Sequence, residues 1–304
     1  MALRKLTSTD AFVFTDLDGA PASGVVRRAR KILQGGAKEL ARSATYAFGA
    51  FGIERVGASA GINADGDGID DAVAAFVTEL VPTVADGELH LDAAKGLAPA
   101  QLAELRAAST AGPWAGSPAL LAAGVTAATA WALGGDLSGA TVAIEGEASA
   151  PPVLKQLLTE AGATVAEVAG IDEKPWLLWS AEVDAILLGS KAGVLNHQGI
   201  DGITARALVP WGPIPITTKA FAGLWKGGAV TVLPDFVTAA GALVGSVLDG
   251  DEAHAAAELV GRINEVLDDA ASSDDGVLLG ACHRAEAFIE GWHGSKPFGR
   301  PLAG

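Results

Sequence analysis

The sequence predicts an α/β protein of two domains, and three observations carry that prediction. Half of the 304 residues are apolar and 19% are charged, with mean hydropathy +0.34, a balance that supports a buried core and excludes a disordered chain. The cluster Gly134-Gly135-Asp136 interrupts the chain, since paired glycines remove both helix propensity and backbone restraint. Beyond it, short apolar runs alternate with amphipathic segments of helical period.

The first domain, residues 1–134, reads as helices between Gly-rich turns. Thr7 to Leu17 and Arg55 to Ile62 are strand candidates. Gly24 to Phe51 reads as a helix whose Arg27, Arg28, Arg30 and Lys31 form a basic face, either solvated or set against an acidic subunit surface. Gly68 to Val81 repeats Ile69, Val73, Phe76, Val77 and Leu80 at helical spacing. The longest run without Asp, Glu, Lys or Arg is Ala107 to Gly135. Pro113, Gly116, Ser117 and Pro118 break it, and the remainder is too short to cross a bilayer, which needs roughly 20 apolar residues. A buried helix from Ala119 to Leu133 is expected instead.

The second domain, residues 135–276, carries strand candidates at Ala140 to Glu145, Thr164 to Ala169, Val183 to Leu188, Ala205 to Pro210 and Ala229 to Leu233. A helix from Pro152 to Ala161 separates the first two. Strands joined in this way imply right-handed crossovers and a parallel sheet covered on both faces, hence a doubly wound, Rossmann-like domain. Helices follow at Asp251 to Ala271 and Val277 to Trp292; the C-terminal segment, about 277–304, is expected to pack back on the first domain.

Net charge and cysteine usage narrow the function classes. The charge of −15 excludes a nucleic-acid binder, because phosphate contacts need a basic surface. The single Cys282 excludes a disulfide framework and fits a reducing compartment. The N-terminus has no apolar stretch after its basic pair, so no secretory signal is expected. A cytoplasmic protein with no membrane contact and no metal is the expectation. Asp65 to Asp71 looks like a calcium loop but lacks the closing Glu, and Cys282-His283 cannot form a dyad, since adjacent helical side chains diverge. His197, in a loop after the third strand of the second domain, is a minor candidate.

Several segments line up in order with one family. They are Leu40-Ala41-Arg42-Ser43-Ala44-Thr45-Tyr46, Gly57-Ala58-Ser59-Ala60-Gly61-Ile62, Gly116-Ser117-Pro118 and Leu137 to Gly146. Pro215-Ile216-Thr217-Thr218-Lys219 and Val232-Leu233-Pro234-Asp235-Phe236-Val237 complete the set. Together they resemble the Glu/Leu/Phe/Val dehydrogenases, which oxidatively deaminate amino acids with NAD(P). The resemblance implies an N-terminal substrate and self-association domain, a homo-oligomer, and NAD(P) in the second domain.

At the positions where that family does its chemistry, this chain departs from it. Ala47 stands where a substrate-anchoring Lys is expected. Ser59 takes the place of a second Lys, whose depressed pKa suits it to acid–base work and which a hydroxyl cannot replace. Ala94 falls at the acid position, leaving Asp92 or Lys95 as displaced candidates. The dinucleotide fingerprint needs Gly-x-Gly-x-x-Gly after the first strand; here it is Gly146-Glu147-Ala148-Ser149-Ala150-Pro151, with an anion beside the pyrophosphate position. Gly146, Ser149, Asp172 and Ser190 are the remaining cofactor-binding candidates, with Gly170 where the ribose-binding acid is expected. Pro213 and Ala239 replace two cofactor-facing Asn residues. Ser117, Trp211, Thr217 and Asp235 are expected to line the cleft, and Trp211 to plug the cofactor crevice.

The expectation is therefore a non-catalytic or repurposed relative, with a cleft around Ser59, Lys95, Ser117 and Ser149 open to a different small molecule. An active NAD(P)-dependent oxidoreductase on a CH–NH2 substrate with displaced residues, and a regulatory partner of an active paralogue, are the alternatives. Gly57, Gly61, Gly139, Gly146 and Gly241 are expected in turns.

Overall fold

The computed structural model describes residues 1–169 and 174–304, so the Gly170 and Asp172 candidates lie outside the described residues. The chain divides into two compact units. Unit one holds Met1–Gly116, Leu243–Leu248 and Ala285–Pro301; unit two holds Ser117–Ala242, Asp249–Arg284 and Leu302–Gly304.

Unit one is built on a five-stranded mixed sheet, its strands β1 (Ala2–Lys5), β2 (Ala11–Thr15), β3 (Ala22–Ala29), β4 (Val56–Asn63) and β5 (Leu89–Ala93) in the order β1-β2-β4-β3-β5. The β1–β2 and β2–β4 pairs are antiparallel, and β3 pairs in parallel with both β4 and β5. Helices α1 (Gln34–Ala50), α2 (Ile69–Ala85) and α3 (Ala103–Ala108) belong to the same unit. The small residues Ala37, Ala41 and Ala44, with Phe48, form the buried stripe of α1 and let its backbone come close to the sheet.

Three sequence expectations are corrected here. Arg27 and Arg28 lie on strand β3 and not on a helix, which begins only at Gln34. The Val25-Val26 pair has high strand propensity, and β3 is a central strand bonded on both sides, with Val26 fully buried. Tertiary pairing overrides the helical spacing of the charges. Strands β1 and β5 were not anticipated. Gly57 and Gly61 sit inside strand β4 and not in turns, where their missing side chains make room for α1 and for the Phe12 ring.

One buried ion pair lies between α1 and the chain after β2. Asp16 has a fully buried side chain 3.7 Å from Arg42 Nε, and burial pushes its carboxyl above the ordinary value despite the nearby cation. A raised native pKa means that the folded chain holds this proton more tightly than the unfolded one. The resulting stability is complete below about pH 4 and is lost as pH rises through the native value. Asp16→Asn is expected to flatten the fall in urea-unfolding stability above that point; an unchanged slope would refute the assignment.

Unit two contains a fully parallel five-stranded sheet: β6 (Thr141–Ile144), β7 (Thr164–Val165), β8 (Ala185–Leu188), β9 (Ala207–Pro210) and β10 (Thr231–Val232), ordered β10-β9-β8-β6-β7. Ala185 to Leu188 and Ala207 to Val209 are wholly buried, as expected of strands covered on both faces. The helices are α4 (Pro118–Ala132), α5 (Pro152–Glu160), α6 (Thr218–Gly227), α7 (Asp235–Thr238), α8 (Gly241–Val244), α9 (Glu252–Ala271) and α10 (Val277–His293), the last running on into unit one. Gly241 opens α8 against the Leu120 carbonyl, again a close approach and not a turn, whereas Gly139 and Gly146 have positive φ. Among the described residues no helix is long and apolar enough to cross a membrane. The strand order reverses between β6 and β8, and that reversal marks where an open α/β sheet presents its crevice.

Candidate functional site

At the reversal the chain supplies its own anion. Strand β6 delivers Glu145 to the carboxyl edge of the sheet, and β8 delivers Gly189 and Ser190 beside it. Glu145 Oε2 accepts from the backbone N–H of Gly189 and of Ser190, both at 3.0 Å, and Oε1 accepts from the Ser190 hydroxyl. Successive backbone N–H groups in a turn form a concavity suited to an anion. Here a carboxylate from the neighbouring strand holds both donors.

Trp211 packs beside Glu145 and the end of β8. Its backbone N–H bonds Leu188 O at 2.9 Å, its Nε1 donates to Glu145 O at 3.0 Å, and the residue is 6% exposed. Gly189 and Gly212 make this possible, because a Cβ on either would strike the other's backbone. The loop that carries Trp211 holds Ile214 at φ 45°, a costly conformation for a β-branched residue. Asp235 accepts from the Ile214 N–H at 2.8 Å and Thr238 Oγ1 donates to Pro210 O at 2.6 Å, so buried polar groups fix the strained loop.

The turn after Glu145 is short of free donors. Gly146 adopts the left-handed conformation, and Ser149 and Ala150 direct their N–H groups back at Gly146 O and Glu147 O. Pro151 and Pro152 then start α5 without N–H groups. Beside the turn lies a cavity of about 850 Å³, lined in part by Glu145, Glu147, Lys155, Glu167 and Leu178. Lys155 is bound to Glu147 at 2.7 Å, which raises its pKa and leaves acid in excess.

The remaining candidates are placed as follows. Ser117 caps α4 by accepting from Leu120 N at 3.2 Å, and Thr217 caps α6 by accepting from Ala220 N at 3.2 Å. Asp235 is 5% exposed and engaged with the strained loop. Ser149 is exposed, as are Lys95 and His197. Ser59 is fully buried in β4, with its hydroxyl unpartnered. Arg27 Nε and Nη2 are likewise buried without partners, and burial lowers the guanidinium pKa.

Asp92 belongs to a chain that sequence reasoning missed. Its Oδ2 lies 3.0 Å from His90 Nε2, and His90 Nδ1 lies 2.7 Å from Ser109 Oγ, which accepts from Ala111 N at 3.1 Å. With the carboxylate accepting, Nε2 carries the proton and the Ser109 hydroxyl donates to Nδ1, an assignment made from the network. The available signal was the spacing of His90 and Asp92 on one face of an alternating strand. Glu145 and Glu167 were also missed. Among the described residues no His, Cys, Asp and Glu cluster could hold a metal ion.

Comparison with protein-family models finds no match, and comparison with curated protein sequences finds none either. Solved structures do match. The hetero-hexameric glutamate dehydrogenase of Thermus thermophilus, in a Leu-bound form, aligns with TM-score 0.78 and 18% identity over 95% of this chain and 86% of that one. The L-tryptophan dehydrogenase of Nostoc punctiforme aligns with TM-score 0.71 and 20% identity over 97% of each chain. The glutamate dehydrogenase of Peptoniphilus asaccharolyticus gives 0.67 and 15% over 92% and 86%. Identities this low leave the chemistry to be read from the residues, but the architecture is common to all: the chain has the α/β fold of the amino-acid dehydrogenases.

Proposed function

We propose that this protein is a repurposed relative of the Glu/Leu/Phe/Val dehydrogenases that no longer binds a dinucleotide or deaminates amino acids. The observation that carries the reading is the Glu145 carboxylate on the Gly189 and Ser190 N–H groups. A pyrophosphate brought to those donors would meet a fixed anion at hydrogen-bond distance and a second, Glu147, at the cavity wall. The residues present do not fit NAD(P), so no hydride-transfer step is derived. The substitutions Ala47, Ser59 and Ala94 point the same way, since none can supply an ammonium or carboxylate.

Calorimetric titration of the full chain with NAD and with NADP tests this directly. No saturable binding is expected up to about 1 mM, the weak end of ordinary cofactor affinity. Saturation well below that concentration would overturn the proposal.

A second reading, an active NAD(P)-dependent oxidoreductase on a CH–NH2 substrate, has two observations in its favour. Glu167 stands at the cavity beyond the end of β7, where an acid holds ribose hydroxyls in nucleotide-binding sheets. Asp92 has a His90 partner at 3.0 Å that would hold it in place as a displaced acid. Nucleotide binding followed by amino-acid-dependent reduction would establish this reading. A third role, as partner of an active paralogue, draws support from the hetero-hexameric assembly of the Thermus relative; co-purification with an active dehydrogenase would identify it. In either non-catalytic role we infer an oligomeric protein of the cytoplasm, where the buried thiol of Cys282, outside any disulfide, stays reduced.

A further inference from the structure

We propose that a second cavity in unit two binds a small organic cation of the quaternary or methylated ammonium class. This cavity, of about 560 Å³, lies among the C-terminal end of α4, helix α6 and the turn that joins α9 to α10. It shares no residue with the Glu145 crevice, so the inference stands whether or not that crevice takes a nucleotide.

Three aromatic side chains, Trp131, Phe221 and Trp225, line it together with Asp274 and Asp275. The indoles are held by their edges: Trp131 Nε1 donates to Asp268 Oδ1 at 2.7 Å, and Trp225 Nε1 donates to the Asp275 carbonyl at 3.2 Å. Each indole N–H is thereby satisfied within the protein, and the negative face of an indole ring attracts a cation. Trp225 remains 54% exposed although it is tethered, so most of its apolar surface is left uncovered by the protein itself. No Lys, Arg or His lines the cavity among the described residues. Of the two acids, Asp275 Oδ2 lies 3.9 Å from His283 Nε2, which is charged only when protonated, while Asp274 makes no ion pair among the described residues; Arg284 pairs with Glu265 and Asp269.

Aromatic rings beside two carboxylates and no Lys or Arg, in a chain of net charge −15, favour a cation over an anion. The faces further select a weakly hydrated one: a trimethylammonium head spreads its charge over methyl groups and sheds water more readily than a metal ion or a primary ammonium. The cavity also leaves space for a short tail on that head.

The test is a titration of the full chain with choline and with tetramethylammonium, followed by calorimetry and Trp fluorescence, against the neutral isostere 3,3-dimethylbutan-1-ol. Choline is expected to saturate in the millimolar range or below, with the isostere at least about tenfold weaker. Trp225→Ala and the double substitution Asp274→Asn with Asp275→Asn are each expected to weaken choline at least about tenfold, while Trp225→Phe retains most of the binding. Trp225 is a surface residue, so the melting temperature of each variant distinguishes lost binding from lost fold. Equal binding of the isostere would make the site a plain apolar groove and overturn the proposal. So would unaltered choline binding in folded Trp225→Ala, or no saturation at about 10 mM choline.

Discussion

Glu145→Ala is expected to destabilise the protein by about 2–4 kcal/mol, read as a lower urea midpoint at unchanged slope. The size follows from what the carboxylate does. It accepts from two backbone N–H groups and a hydroxyl that have no other partner among the described residues, and Gly189 is buried while Ser190 is half-buried. Removing the acceptor costs the charge-assisted bonds and strands donors away from water. Glu145→Gln, which keeps one carbonyl acceptor, is expected to cost less than half as much.

A second readout separates a substitute for phosphate from an ordinary structural tie. If the carboxylate occupies an anion cradle, inorganic phosphate should restore stability to Glu145→Ala and leave the parent unaffected. At a concentration ten times its dissociation constant, bound phosphate would return about 1.4 kcal/mol. A loss below about 0.5 kcal/mol in Glu145→Ala, within the range of ordinary surface substitutions, would sink the account. So would equal stabilisation of both proteins by phosphate.

The legibility of this molecule in its sequence divides along a physical line. The strands of unit two could be read because a parallel strand buried on both faces is a continuous apolar run, as in Ala185 to Leu188. Strand β3 could not, because Arg27 and Arg28 give it the look of a charged helical face and only its pairing with β4 and β5 makes it a strand. The differences between the Gly146 to Pro151 turn and the dinucleotide fingerprint were visible as Glu147, Ala148 and Pro151, local departures from a local motif. Trp211 could be placed near the crevice from the resemblance, but its bond to Glu145 across 66 residues, and the bonds of Glu145 to donors 44 and 45 residues away, could not be read. Contacts of that separation depend on strand order, which no single segment encodes. The His90 to Ser109 contact was missed because it joins β5 to the end of α3 across 19 residues, whereas the buried state of Ser59 follows from its place inside a central strand.

Gly57→Ala is the other substitution with a large expected effect, about 3–5 kcal/mol, and Gly57→Val is expected not to fold. A Cβ at position 57 would fall on the Ala41 carbonyl and lie 2.6 Å from Thr45 N, both backbone atoms of α1. Neither can swing aside like the end of a side chain. The helix would have to lift from β4, breaking the bond from Gly57 N to Thr45 Oγ1, 2.8 Å long. The buried stripe of Ala37, Ala41 and Ala44 would lose its packing with it. Gly35, in the first turn of the same helix, is the internal control: its added Cβ meets nothing within 4 Å and its φ is not positive. There the substitution to Ala only restricts the unfolded chain and improves helix propensity, so Gly35→Ala is expected to stabilise by about 0.5–1 kcal/mol. Opposite signs at two glycines joined to one helix would show that the glycine content of this chain is partly a packing requirement; a Gly57→Ala protein as stable as its parent would show that α1 does not sit on the sheet as described.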